Sequence, residues 1–244
     1  MTESRSDHAV TAAILAGGLA RRLQGADKSA LEFDGERTID RQLRVLRAIT
    51  DSIIIVGGDL ERAEAAGVPV VPDLVNGAGA LGGIYSALAQ SKHSRMLIVA
   101  CDMPFLNVAV LQRLVRPAAP DVDIVMPRTH DGVQPLCAVY AARVADLVRR
   151  RIDRGLLKVT DLMEEVTVEE IGPEELARDD PGRLMFVNVN TPHDYERAKG
   201  LLDLSRRSAD ETNSDRLPES RATDCDRITT LQRLRAPGTT PYTR

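Results

Sequence analysis

Behind the apolar run 10–16 (VTAAILA) the chain places Gly17, Gly18, Arg22 and Lys28 within a dozen residues. A glycine pair lets the backbone turn sharply and approach a ligand, and successive amides in such a turn converge on an anion. The Arg22 guanidinium offers a planar fork to phosphate oxygens, and the Lys28 ammonium a compact point charge. Together they suit a polyphosphate: they would neutralise a triphosphate and stabilise pyrophosphate as it leaves. The competing reading is a surface turn with solvated charges. The spacing is not that of a Walker loop, because Gly25 is followed by Ala26 and Asp27. No G-x-G-x-x-G leaves this run either, which counts against a dinucleotide-binding oxidoreductase.

Asp102 ends a second apolar run, MLIVACDMP. One carboxylate together with substrate phosphate oxygens is the usual way Mg²⁺ is held. Such an ion offsets charge developing on an α-phosphate under in-line attack. The same Asp could instead cap a helix after Pro104. Asp73 leads into a stretch carrying Gly77, Gly79, Ala80, Gly82 and Gly83. Side chains this small let a flat ring lie against backbone, or simply make a flexible entry to a helix. Asn188 and Asn190 alternate in FVNVNTP, so on a strand both amides share one face. They could orient a ligand or a metal-bound water, or satisfy nearby turn backbone. Cys101 and Cys137 read as core residues, His93 and His130 as surface loop residues.

The elements that position these groups follow from hydrophobic periodicity. Strands are expected at 10–16, 52–56, 68–71, 96–100, 123–126, 136–140, 167–171 and 184–189, and helices at 38–49, 81–90, 108–115 and 141–151. Thr38 or Asp34 caps or precedes the first helix, and Thr191 caps a last one with Pro192 in its first turn. Alternation over about 200 residues predicts an α/β fold with a mostly parallel sheet and helices on both faces. In such sheets ligands bind beyond the carboxyl ends of the strands, where Gly17 and Asp102 would both sit. Residues 205–244 are poor in apolar side chains and rich in Arg, Asp, Ser, Thr and Pro. The expectation is a folded domain over 1–204 and a disordered tail over 205–244.

Composition narrows the function classes. A net charge of -4 counts against a nucleic-acid or anionic-membrane binder. No apolar stretch approaches a membrane span, and the polar start lacks the order of a secretory signal. The three cysteines form no CxxC pattern, so a reducing cytoplasm fits better than a disulfide framework.

LAGGLARRLQGADK resembles the LAGG-x-x-x-R-x-x-G-x-x-K signature of the MobA-like nucleotidyltransferases, the family acting on the molybdenum cofactor. VPDLVNGAGALGGIYSAL, CDMPFL and FVNVNTPHDYERA follow in that family's order, and the likeness spans roughly residues 12–202. The guanylyltransferases of the family are the most similar. The resemblance implies a Rossmann-like three-layer α/β sandwich that transfers GMP from GTP to molybdopterin or Mo-molybdopterin and releases pyrophosphate. It implies that Leu15, Ala16, Gly17 and Gly18 contact the nucleotide, Lys28 and Arg22 its phosphates, and Asp73 the guanosine. Asp102 would ligate Mg²⁺, and Asn188 and Asn190 would lie on the pterin or metal side. Passing contact with other proteins of the cofactor's maturation is compatible with it. Gln24 stands where the family commonly has glycine, Ala80 where it often has proline, and Val56 where relatives often carry Asn. These departures bear on loop shape and base recognition. The alternatives are a cytidylyltransferase on the same cofactor, a sugar-phosphate nucleotidyltransferase, and a nucleotide-binding regulatory protein without turnover.

Overall fold

Runs of Ile, Val, Leu and Ala that are apolar on both faces form the middle of one sheet, because only a strand covered on each side can bury them all. A computed structural model describes residues 10–17, 22–23, 26–27, 31–58, 67–116 and 118–214; at 22–23, 26–27 and 208–214 it describes the backbone alone. The strands are β1 (Val10–Leu15), β2 (Arg22–Leu23), β3 (Ala26–Asp27), β4 (Glu32–Phe33), β5 (Glu36–Arg37), β6 (Ile53–Val56), β7 (Val70–Val71), β8 (Arg95–Ala100), β9 (Ile124–Thr129), β10 (Gly132–Val133), β11 (Cys137–Ala141) and β12 (Val168–Ile171). The main sheet runs β10-β9-β11-β8-β1-β6-β7, with β12 also on β9. β7, β6, β1 and β8 are mutually parallel. β11 is antiparallel to both β8 and β9, so β9 again points the way β8 does, and β12 is parallel to β9.

Alternation along β1 divides the core. Val10, Ala12 and Ile14 join a cluster on one face with α1 (Thr38–Arg47), α3 (Val108–Leu114) and α5 (Pro173–Asp179). Ala13 and Leu15 join a cluster on the other with α2 (Gly79–Ala89) and α4 (Ala145–Asp153). This is the expected three-layer α/β sandwich with a mostly parallel sheet. A smaller cluster of Phe33, Phe105, Val189 and Ala198 seats α6 (Pro192–Ser214). There Phe33 meets Phe105 edge-on at 5.0 Å, and the Tyr195 hydroxyl donates to the Glu32 carbonyl at 2.7 Å.

Four expectations need correction. Residues 184–189 are not a strand. The buried Asp180 carboxylate accepts the Leu184 and Met185 amides at 3.3 and 2.9 Å, turning the chain, and Val187 N–H closes on the Leu184 carbonyl. The last helix runs to Ser214, past the expected start of the tail at 205; 215–244 lie outside the described residues. By internal contact the chain separates into Met1–Ser205 and Arg206–Arg244. The cap of α1 is neither Thr38 nor Asp34: Arg37 holds the N-cap position without a side-chain bond to the helix's free amides, its guanidinium pairing instead with Asp40, and Asp34 sits in the β4–β5 turn. His93 is half-buried, its Nδ1 at 2.9 Å from the hydroxyl of the buried Thr11. No helix among the described residues is long and apolar enough to cross a membrane.

Candidate functional site

The parallel register sets Leu15 opposite Ala100 and Val56, so the ends of β1, β6 and β8 stand side by side. Backbone bonds continue beyond the strands. Cys101 N–H donates to the Leu15 carbonyl at 3.2 Å, Ala16 N–H to Val56 at 2.9 Å and Gly57 N–H to Val71 at 2.8 Å. Ala16, Gly17, Gly57, Asp73 and Asp102 therefore leave one edge of the sheet together.

Close backbone packing fixes the start of the glycine loop. Gly57 has φ +70°, and a Cβ built on it would lie 2.9 Å from Gly17 Cα. Asp73 completes this corner, with Oδ2 3.8 Å from the position a Gly17 Cβ would take. Its Oδ1 is held by the Val75 amide at 3.2 Å and the Ser86 hydroxyl at 3.1 Å. Ser86 is fully buried on α2 and also accepts the Leu74 amide at 2.8 Å. Among the small residues after Asp73, Gly82 and Gly83 serve packing rather than a ligand. A Cβ on Gly82 would lie 2.9 Å from the Val75 carbonyl, and one on Gly83 3.4 Å from Leu15. Gly18 and Lys28 lie outside the described residues. Arg22 is described by its backbone, which pairs with Asp27 in the β2–β3 ladder.

Asp102 is half-buried in the turn after β8. That turn is braced from α1. The buried Gln42 amide donates to the Ala100 carbonyl at 2.8 Å and to Met103 at 2.9 Å, while Arg41 donates to Pro104 at 3.3 Å. Asp102 does not cap the following helix; Asn107 does, accepting the Ala109 and Val110 amides at 2.8 and 3.3 Å. The Asp102 carbonyl accepts the Val189 amide at 2.9 Å. Val189 is buried, and Asn188 and Asn190 on either side of it are exposed. The two Asn thus come next to the Asp102 turn although their segment is irregular.

A capping box secures them. Asp194 N–H donates to the Thr191 hydroxyl at 3.1 Å, and Asp194 Oδ2 accepts the Thr191 and Asn190 amides at 2.9 and 3.1 Å. The Thr191 hydroxyl, with the Asn190 amide behind it, holds the Asp194 carboxyl below its usual range. Burial pushes the Cys137 thiol up to about 12, as befits a core residue.

Among the described residues no three or more His, Cys, Asp or Glu side chains are grouped so that they could hold a metal ion. A half-buried carboxylate outside any such group is a poor cage for a transition metal. It fits a hard ion such as Mg²⁺, which keeps water and takes substrate phosphate oxygens as ligands. Sequence reasoning missed Ser86, Gln42 and Arg41. Gln42 left a trace, a polar residue amid the apolar positions Ile39, Leu43 and Leu46 of α1.

Residues 12–168 match the model of the MobA-like NTP transferase domain. The chain belongs to this family. It is 32% identical over 198 residues to the molybdenum cofactor guanylyltransferase of Desulfosudis oleivorans, covering 81% of this chain and 98% of that one. The crystal structure of molybdopterin-guanine dinucleotide biosynthesis protein A from Archaeoglobus fulgidus superposes with a TM-score of 0.66 at 29% identity, covering 80% of this chain and 99% of that one. A Mycobacterium tuberculosis protein crystallised in complex with manganese shares the fold at 20% identity and a TM-score of 0.54, covering 79% and 98%. In this MobA-like chain, then, the edge that gathers Gly17, Asp73 and Asp102 is the edge of an NTP transferase domain.

Proposed function

We infer that this chain transfers GMP from GTP to molybdopterin or its molybdenum-loaded form, making the guanine dinucleotide cofactor and pyrophosphate. The observation that carries the reading is the adjacency of the β1 and β8 ends, fixed by the Leu15–Ala100 register and the Cys101–Leu15 bond. It brings the glycine-loop entry and a carboxylate to one lip of the sheet.

The acceptor's terminal phosphate oxygen attacks the α-phosphorus of GTP. The bond from that phosphorus to the bridging oxygen of pyrophosphate breaks, and the electron pair leaves with pyrophosphate. A phosphate oxygen is already ionised at neutral pH, so no side chain need take a proton. Amides from Ala16 to Gly18 receive the triphosphate, and Lys28 and Arg22 neutralise the departing pyrophosphate. Asp73, locked by Ser86, reads the guanosine portion. Asn188 and Asn190 steady the acceptor side of the α-phosphate. Bound at Asp102, Mg²⁺ would supply positive charge against the α-phosphate oxygens. Most of the acceleration comes from alignment and charge neutralisation.

The test is pyrophosphate release with GTP, Mg²⁺ and molybdopterin. Asp102→Ala and Lys28→Ala are expected to lower it by about 10²- to 10³-fold, the scale of a lost electrostatic stabiliser, with circular dichroism unchanged. Near-normal release by Asp102→Ala would remove the metal role. Faster release with CTP than with GTP would remove the guanylyl assignment.

A further inference from the structure

The turn that carries Asp102 closes itself poorly. Cys101 and Asp102 are its two central residues, and Met103 N–H reaches the Ala100 carbonyl at 3.4 Å, near the outer limit of a hydrogen bond. Gln42 of α1 supplies what the turn lacks. Its Nε2 bears two hydrogens, and they go to the carbonyls at the two ends of the turn, Ala100 at 2.8 Å and Met103 at 2.9 Å. Arg41, one residue earlier, donates to the next carbonyl, Pro104, at 3.3 Å. Between the ends, Cys101 N–H is held by the Leu15 carbonyl and the Asp102 carbonyl by the Val189 amide.

Packing alone does not call for an amide at this place. Gln42 is 1% exposed and lies among the buried positions of α1 with Leu43, Val45 and Leu46. Its Oε1 is buried and has no hydrogen-bond partner among the described residues. Turning the amide over would set that oxygen against two carbonyls, so the turn itself dictates the orientation. An orphaned buried oxygen destabilises a fold. A methionine would fill much the same volume without it. The amide is there in spite of that penalty, and what it holds is the main chain on both sides of Asp102.

We propose that Gln42 is the positioning residue of the metal site: by clamping both ends of the 100–103 turn it holds Asp102 where a hard divalent ion and the triphosphate meet. The proposal rests on the metal role given to Asp102 in the transfer reading and adds which residue sets its geometry. A Mg²⁺ ion demands near-ideal octahedral oxygens at about 2.0–2.1 Å. Such a site works only while its ligand stays within about 0.5 Å of the productive position. Gln42 is buried beneath the turn, so it acts through the backbone of 100–103 and not on the substrate.

The test is GTP binding by calorimetry to the full chain and to Gln42→Met, once with Mn²⁺ and once with a chelator. Methionine keeps the volume and removes both donors. The expected result is a Kd for Mn²⁺–GTP raised about 10- to 100-fold, the scale of a lost support behind a metal ligand, with metal-free GTP bound as tightly as by the parent. Asp102→Ala should show the same metal-specific loss. If Gln42→Met does not fold, Gln42→Asn, whose amide sits one methylene short, is measured in its place with the same expectation. Equal Kd values in parent and variant, or a loss of the same size with and without metal, overturn the proposal. So does a parent whose GTP affinity is indifferent to Mn²⁺. Pyrophosphate release with molybdopterin separates the two readings. A metal-specific loss in Gln42→Met without release by the parent upholds the clamp and sinks the transfer. Release by the parent, with Mn²⁺–GTP bound equally well by Gln42→Met, sinks the clamp alone.

Discussion

Ser86 serves three partners through one hydroxyl. It accepts the Leu74 amide and lies within donating distance of both the Gly82 carbonyl, at 2.8 Å, and Asp73 Oδ1, at 3.1 Å. An ionised Asp73 can only accept, so the single hydroxyl proton is shared between the helix and the carboxylate. Ser86 is thus a positioning residue for Asp73. Ser86→Ala strands the Leu74 amide and should cost about 1–3 kcal/mol in chemical denaturation. It should also raise the KM for GTP. If Ser86 acts through Asp73, that rise vanishes in an Asp73→Asn background, and additive effects on KM would refute the coupling. Gln42 plays the matching part for Asp102 by pinning carbonyls on both sides of it. Neither Ser86 nor Gln42 announces this in the sequence. Both touch their partners across gaps of a dozen to some sixty residues, and only the folded chain closes those gaps.

At the scale of elements, the strand ends decide where chemistry can occur. Gly57 packs its Cα side against Gly17 in a backbone conformation that a side chain resists. Gly57→Ala therefore meets both a steric contact with backbone and an unfavourable φ. It should cost about 1–3 kcal/mol and weaken GTP binding about tenfold, the scale of one lost hydrogen bond. Thermal shift with and without GTP reads both; an unchanged shift would show that the Gly17–Gly57 contact does not shape the loop. The runs at β1, β6 and β8 were legible because continuous apolarity marks a doubly covered strand. The segment 184–189 carries the same signal, but its apolar residues face a turn held by Asp180 rather than a neighbouring strand. Val189 is buried for a tertiary reason, contact with Phe33, Phe105 and Ala198. Alternation alone could not tell that from a ladder. It still placed Asn188 and Asn190 on one side, because a buried residue between two exposed ones gives the same result on either backbone.

At the scale of the molecule, one sheet edge has two halves with Asp102 between them, the ends of β1, β6 and β7 and those of β9 and β12. The half holding Gly17 and Asp73 left two local signals in the sequence, the glycine and basic residues of 17–28 and the acid-then-glycine stretch 73–83. How Asp102 is held between the halves was not legible, because Leu15, Gln42 and Val189 reach its turn from segments that no local spacing joins. The central claim is that the nucleotide lies over the first half with its α-phosphate at Asp102. A crystal structure of the full chain with GTP and Mg²⁺ tests it most directly. The account predicts the base beside Asp73, the triphosphate against Ala16 and Gly17, and the metal about 2.1 Å from both an Asp102 oxygen and an α-phosphate oxygen. A triphosphate seated away from the β1–β8 lip, or an Asp102 carboxylate turned from the metal, would contradict it.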